Sequence, residues 1–171
     1  MRIGVFPTSP KSHDFGYDQL PPATTRRRMK LDELIAEFTD LEPEEKLEWL
    51  VEFADQLPEL SPGRAGVPFP DTCLVRECQT PVYLWVDQSD GRIHLEADVP
   101  RKSPTVRGLV ALLVVGLDGA TIAAVQNLPD DLVAVLGLSG VLGMTRQQGF
   151  RGVVARLKQA VRTGVRAEEG S

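Results

Sequence analysis

The stretch VYLWVDQSDGRIHLEA, Val82 to Ala97, limits the fold of this chain more than any other. Val82, Leu84 and Val86 alternate with Tyr83 and Trp85; after Gln-Ser-Asp-Gly, Ile93, Leu95 and Ala97 alternate with Arg92, His94 and Glu96. A period of two on both sides of an Asp-Gly turn predicts a β-hairpin, because successive strand residues face opposite sides of the sheet. The first run is apolar on both faces, which predicts a strand covered on both sides and central in its sheet. The second keeps one wet face, and His94 falls on it. With no Cys or second His at ligand spacing, a metal role for His94 is not indicated.

Every other apolar segment repeats at helical spacing. Leu31, Leu34, Ile35 and Phe38 predict a first helix. DLEPEEKLEWLVEFADQLPEL predicts a second, opened by Pro43 with Glu44 and Glu45 at its positive end and stopped by Pro58. Leu47, Leu50, Val51, Ala54 and Leu57 form its apolar stripe, widened by Trp49 and Phe53. Four prolines and two glycines between Pro58 and Asp71 mark a loop that leads to the cysteines. Ser103-Pro104 predicts a capped helix through TVRGLVALLVV, ended by Gly116 and Asp118-Gly119. Thr121–Val125 fits either helix or strand. Pro129 and Asp130 open a short helix that stops at Gly137. Thr145 caps a last one carrying Phe150, Val153, Val154, Leu157 and Val161, with Gly164 after it. Helices, a hairpin, then helices predict an α+β domain with a small antiparallel sheet.

The 171 residues suffice for one domain with a core. Residues 1–28 are proline-rich, end in Arg26, Arg27 and Arg28, and show no periodicity; they read as a disordered extension, with a basic docking arm as the functional alternative. Met29 fits an alternative start. The domain is assigned to 29–164 and a disordered tail to 165–171. Nineteen Lys and Arg against twenty-four Asp and Glu give a net charge of −5, which argues against nucleic acid as the main partner. The longest apolar run, Leu109–Leu117, is too short to span a bilayer. No signal-type segment opens the chain and only two cysteines occur, so a cytoplasmic protein without a disulfide scaffold is expected.

Those cysteines, Cys73 and Cys78, are not spaced as a Cys-x-x-Cys redox motif, and four zinc ligands cannot be assembled around them. From spacing alone, Cys78 reads first as a small buried hydrophobe. Its neighbours Arg76, Glu77, Gln79 and Thr80 equally suit a reachable, ionisable thiol. Arg76 favours the thiolate and Glu77 opposes it.

The surrounding words narrow the choice. VRECQTPVYLWV resembles the active-cysteine segment of the SufE family of sulfur-acceptor proteins. EEKLEWLVEFADQLPEL, TVRGLVALLV and LGLSGVLGMTRQQG resemble three further blocks of that family in the same order, spanning roughly residues 30 to 163. The resemblance implies the SufE/IscU-like fold and a cytosolic helper of iron–sulfur cluster assembly. It implies that Cys78 takes persulfide sulfur from a SufS-like cysteine desulfurase, stimulating it, and passes the sulfur to a SufB-like scaffold. Arg146, Gln79 and Arg107 are the supporting residues it suggests. No metal or bound cofactor is implied, since the pyridoxal phosphate belongs to the desulfurase, and a homodimer is compatible with it. Two departures stand out: Glu77 occupies a position where many members carry glycine, and VPRKSP after Asp98 replaces a shorter stretch, so no acidic residue is assigned there. The rival readings are a dithiol redox module using Cys73 with Cys78 and a non-catalytic interaction domain.

Overall fold

The computed structural model describes the backbone of residues 23–164 and the side chains from Lys30 onward. The expectations for residues 1–22 and for the tail 165–171 therefore lie outside the described residues. The elements are α1 (Ala23–Thr39), α2 (Pro43–Phe53), β1 (Tyr83–Ser89), β2 (Arg92–Asp98), α3 (Pro104–Leu117), α4 (Ile122–Gln126), α5 (Leu132–Val135) and α6 (Met144–Thr163). Helix α1 begins ahead of Met29.

The hairpin forms as its pattern predicts. Asp90 and Gly91 have φ of 56° and 76°, the two left-handed residues of a tight turn, and Ser89 pairs with Arg92 across it. Leu84 stands opposite Ala97, and Val86 opposite Leu95, all buried. Trp85 opposite Glu96 and Asp87 opposite His94 make the other face. The expectation of a central strand is corrected: among the described residues the sheet has two strands. The second apolar face of β1 is covered by the proline-rich loop instead. Phe69 packs edge-on to Tyr83 and Trp85, with ring centroids 5.0 and 5.5 Å away. Arg64 ties that loop down by bonds of 2.8 Å to both Asp87 and Glu96.

Helix α3 is the axis of the core, buried at nearly every position from Arg107 to Leu117. Gly116 lies inside it rather than ending it, because a Cβ there would sit 2.6 Å from Leu31 Cδ1, where α1 crosses. Gly108 does the same for α2: a Cβ would lie 2.0 Å from the carbonyl oxygen of Leu50. On α2 the stripe is narrower than expected. Leu50, and Ala54 and Leu57 in the turn that follows the helix, are buried, but Val51 is 44% exposed. Lys46 is buried in its place, donating from Nζ to the carbonyls of Leu136 at 2.9 Å and Gly137 at 3.4 Å. Those oxygens end α5, where a cation meets the negative end of the helix. Phe38 meets Trp49 edge-on near this point, and Trp49 stacks on Phe53.

Capping departs from the sequence reading at three places. Ser103 precedes α3 but its hydroxyl makes no cap bond. Asp131, not Pro129-Asp130, caps α5, with Oδ1 accepting from Ala134 N at 3.2 Å. Gly143 rather than Thr145 is the N-cap of α6, so Thr145 lies in its first turn. The ambiguous segment at Thr121–Val125 is helical because Thr121 Oγ1 accepts from Ala124 N. Gly137 and Gly164 end their helices at φ 68° and 70°, as expected.

The candidate active loop and its cavity

The loop carrying Cys78 is pinched at its base and seated at its tip. At the base, Val75 N donates to Val82 O at 2.8 Å, and Leu74 bridges to Tyr83, the first residue of β1. Arg156 of α6 holds the incoming strand, donating to the carbonyls of Leu74, at 3.0 Å, and of Thr72. At the tip, Cys78 N donates to Val75 O at 3.3 Å, closing a turn. Its Sγ donates to the carbonyl of Gly149 on α6 at 3.3 Å. The loop thus lies back across α6 with its thiol facing the protein.

A cavity of about 300 Å³ opens beside that thiol. Its floor is apolar, from Val106 and Val110 of α3 and Phe150 of α6, and its rim carries Gln79, Thr80 and Arg146. Cys78 is half-buried, and burial, with the Glu77 carboxylate as the lesser cause, pushes its pKa up to about 11. The thiol is therefore protonated at neutral pH in this position and is a poor nucleophile until the loop leaves it. In the free protein, alkylation of Cys78 by iodoacetamide is expected to climb with pH toward about 11. A midpoint near 9.0, the ordinary value, would show a thiol open to water.

The structure brings Gln79 and Arg146 to the cavity with Cys78 but keeps Arg107 away from it. Arg107 is buried beneath α2, where Nε donates to Ala54 O at 3.2 Å and Nη1 to Val99 O at 2.6 Å. It holds α2, α3 and the end of the hairpin together and does not reach the reacting atom. Cys73 is free, like Cys78, and faces a different groove, lined by Arg64, Trp85, Asp87 and Arg156. Burial pushes its pKa up, while a hydrogen bond from Thr72 and the charges of Arg156 and Arg64 pull the other way.

Four residues of this site escape the sequence reading. Gln147, buried, donates from Nε2 to Ser139 O at 2.9 Å and Leu142 O at 2.7 Å, fixing the turn that leads into Arg146. Arg156 anchors the loop base, and Gly149 and Gly152 lie under the loop tip. Only the glycines left a signal, for two within one turn of an amphipathic helix lower its propensity and need a reason. Among the described residues no three His, Cys, Asp or Glu side chains are grouped to hold a metal ion. Among them, too, no helix is long and apolar enough to cross a membrane.

The fold and site define an α+β domain with Cys78 on a loop beside a hairpin, seated over a small cavity. The chain belongs to the SufE family: residues 32–161 match the SufE Fe-S metabolism associated domain. It is 35% identical over 133 residues to an uncharacterised SufE-like protein of Mycobacterium tuberculosis (strain H37Rv), covering 77% of this chain and 91% of that one. An uncharacterised SufE-like protein of Synechocystis is 30% identical over 122 residues, 71% of each chain. A segment of the chloroplastic quinolinate synthase of Nicotiana tabacum is 32% identical over 156 residues, covering 88% of this chain and 20% of that protein. The solution structure of a hypothetical protein from Thermus thermophilus superposes with a TM-score of 0.67 at 30% identity, covering 79% of this chain and 95% of that one.

Proposed function

We propose that Cys78 is the sulfur acceptor of this SufE-family protein. It takes sulfane sulfur from the persulfide of a cysteine desulfurase and delivers it to an iron–sulfur scaffold. The observation that carries this reading is the placement of Cys78 at a loop tip, held by one S–H to carbonyl bond beside a cavity, while the loop base is tied down independently. Such a tip can leave and return without unpairing the hairpin.

The chemistry is a sulfur displacement. The Cys78 thiolate attacks the outer sulfur of the partner's persulfide, a new S–S bond forms on Cys78, and the partner's thiolate leaves. No net oxidation occurs and no metal is required. Because the seated thiol is protonated at neutral pH, transfer demands that docking draw the loop out to where water or a partner cation favours the thiolate. Return to the cavity then shields the bound sulfur from reductants. The pyridoxal phosphate that releases sulfur from cysteine stays with the desulfurase.

The test incubates the protein with a pyridoxal-phosphate cysteine desulfurase and cysteine and weighs it. A gain of one sulfur on Cys78 supports the acceptor. A loss of two hydrogens under mild oxidation, joining Cys73 to Cys78, supports the redox module and overturns it; no change of either kind favours an interaction domain.

Arg146 supplies a separate check. It is exposed at the cavity rim in the first turn of α6, where a cation opposes the helix dipole, so its value is not to the fold. Arg146→Ala is expected to alter stability by less than about 0.5 kcal/mol. Loss of one docking charge, about 1 kcal/mol, lowers stimulation of the desulfurase about fivefold. A large drop in melting temperature with normal uptake would contradict this.

A further inference from the structure

Gly149 and Gly152 lie one turn apart on α6, directly beneath two consecutive residues of the active loop. A Cβ built on Gly149 would lie 3.0 Å from Cys78 Sγ and 3.5 Å from its Cα. A Cβ built on Gly152 would lie 2.5 Å from Glu77 Cβ and 2.9 Å from its Cγ. Neither glycine has the positive φ that would explain it by backbone freedom. Each costs the helix about 1 kcal/mol relative to alanine, and close approach of the loop is the remaining physical reason for both.

We propose that this glycine pair is the seat that holds the active loop shut, and that the fit of Glu77 on Gly152 sets its open–closed balance. The two contacts differ in what can yield. At Gly149 the near atom is a thiol sulfur, which rotation about one bond moves aside. At Gly152 it is Cβ of Glu77, which no side-chain rotation moves, so anything larger than glycine there shifts the loop backbone. The shift falls on the tip alone. The base is fixed separately by the Val75–Val82 bond and by Arg156. Glu77 is therefore a positioning residue for the thiol after it, and Gly152 is its matched partner. This deepens the acceptor reading above by naming what governs exposure of Cys78, and its test does not require sulfur transfer.

The experiment measures alkylation of Cys78 by iodoacetamide in the full chain across pH, with Cys73 followed in the same digests as internal reference. Opening the seat moves the thiol from about 11 toward 9.0, two pH units, which raises its thiolate fraction at pH 8 up to about a hundredfold. Gly152→Ala is expected to raise the Cys78 rate at pH 8 by at least about tenfold and to lower the midpoint of its pH profile, leaving Cys73 unchanged. The melting temperature should hold or rise, since alanine favours the helix. The variant Glu77→Gly/Gly152→Ala, in which no Cβ remains to collide, should react as Glu77→Gly does alone. A wild-type rate for Gly152→Ala, or a parallel rise at Cys73, overturns the proposal. So does a double variant that exceeds Glu77→Gly by the factor separating Gly152→Ala from wild type, because the effect would then not pass through Glu77. If the seat behaves as expected and wild-type Cys78 still gains no sulfur from a desulfurase, the acceptor reading fails and the seat stands.

Discussion

Cys78→Ser is expected to fold as the wild type does and to take up no sulfur at all. The oxygen is nearly isosteric with sulfur, the site is half-buried rather than sealed, and a serine hydroxyl can make the same bond to the Gly149 carbonyl. Stability should change by less than about 1 kcal/mol. Uptake should vanish rather than weaken, because a serine hydroxyl at neutral pH is a far poorer nucleophile than a thiolate. On the proposed acceptor reading, docking uses the surface around the loop as well as the thiol, so the variant should still bind the desulfurase and compete with the wild type. Desulfurase turnover with and without each form, alongside mass spectrometry of the acceptor, decides it. Retained stimulation, or sulfur found on Cys73, would remove Cys78 from the centre of the mechanism.

The second large effect concerns the fold. Gly108→Ala places a methyl group 2.0 Å from the Leu50 carbonyl oxygen and 2.7 Å from its carbonyl carbon, both backbone atoms of α2 that cannot rotate away. Helices α2 and α3 must part, and the bonds from Arg107 to Ala54 and Val99, beside the contact, go with them. Overpacking of this kind costs about 3 kcal/mol or more, outweighing the roughly 1 kcal/mol that alanine contributes to helix propensity. The expected result is a melting temperature lower by about ten degrees, or a chain that is not recovered folded. Thermal unfolding against Gly116→Ala, where the near atom is the side-chain Cδ1 of Leu31 with backbone 3.1 Å away, should show the milder loss in the latter.

The Gly108 contact also shows what a sequence motif can hide. Val-Arg-Gly-Leu stands out in the sequence as a word shared with a family, and Arg107 within it as a supporting residue of the site. The structure gives both residues to the crossing of α2 over α3, where the glycine admits a close helix contact and the buried cation donates to the carbonyls of Ala54 and Val99. Arg146, Gln79 and Cys78 do meet, at one cavity. Cys78 and Gln79 share one word and Arg146 belongs to another far along the chain, and only the return of α6 against the hairpin end brings the two together.

The local order of the chain was legible because it depends on neighbours in sequence. Alternation around Asp-Gly made the hairpin, helical spacing made α2, α3 and α6, and Gly137 and Gly164 ended their helices as left-handed residues. The family was legible too, through the words around Cys78 and the three blocks that follow the same order. What lay beyond the sequence was every property set by an element distant in the chain. The apolar outer face of β1 meets a proline-rich loop, not a third strand, since periodicity records that a face is covered and not by what. Gly116 reads as a stop and is a crossing, since a glycine is silent about which backbone approaches it. The resting state of Cys78 is the same kind of fact. Arg76 and Glu77 beside it leave its ionisation undecided. Burial against a carbonyl on α6, distant in sequence but in contact in space, settles it toward the protonated thiol, because desolvation depends on the whole fold around an atom and not on its neighbours in the chain.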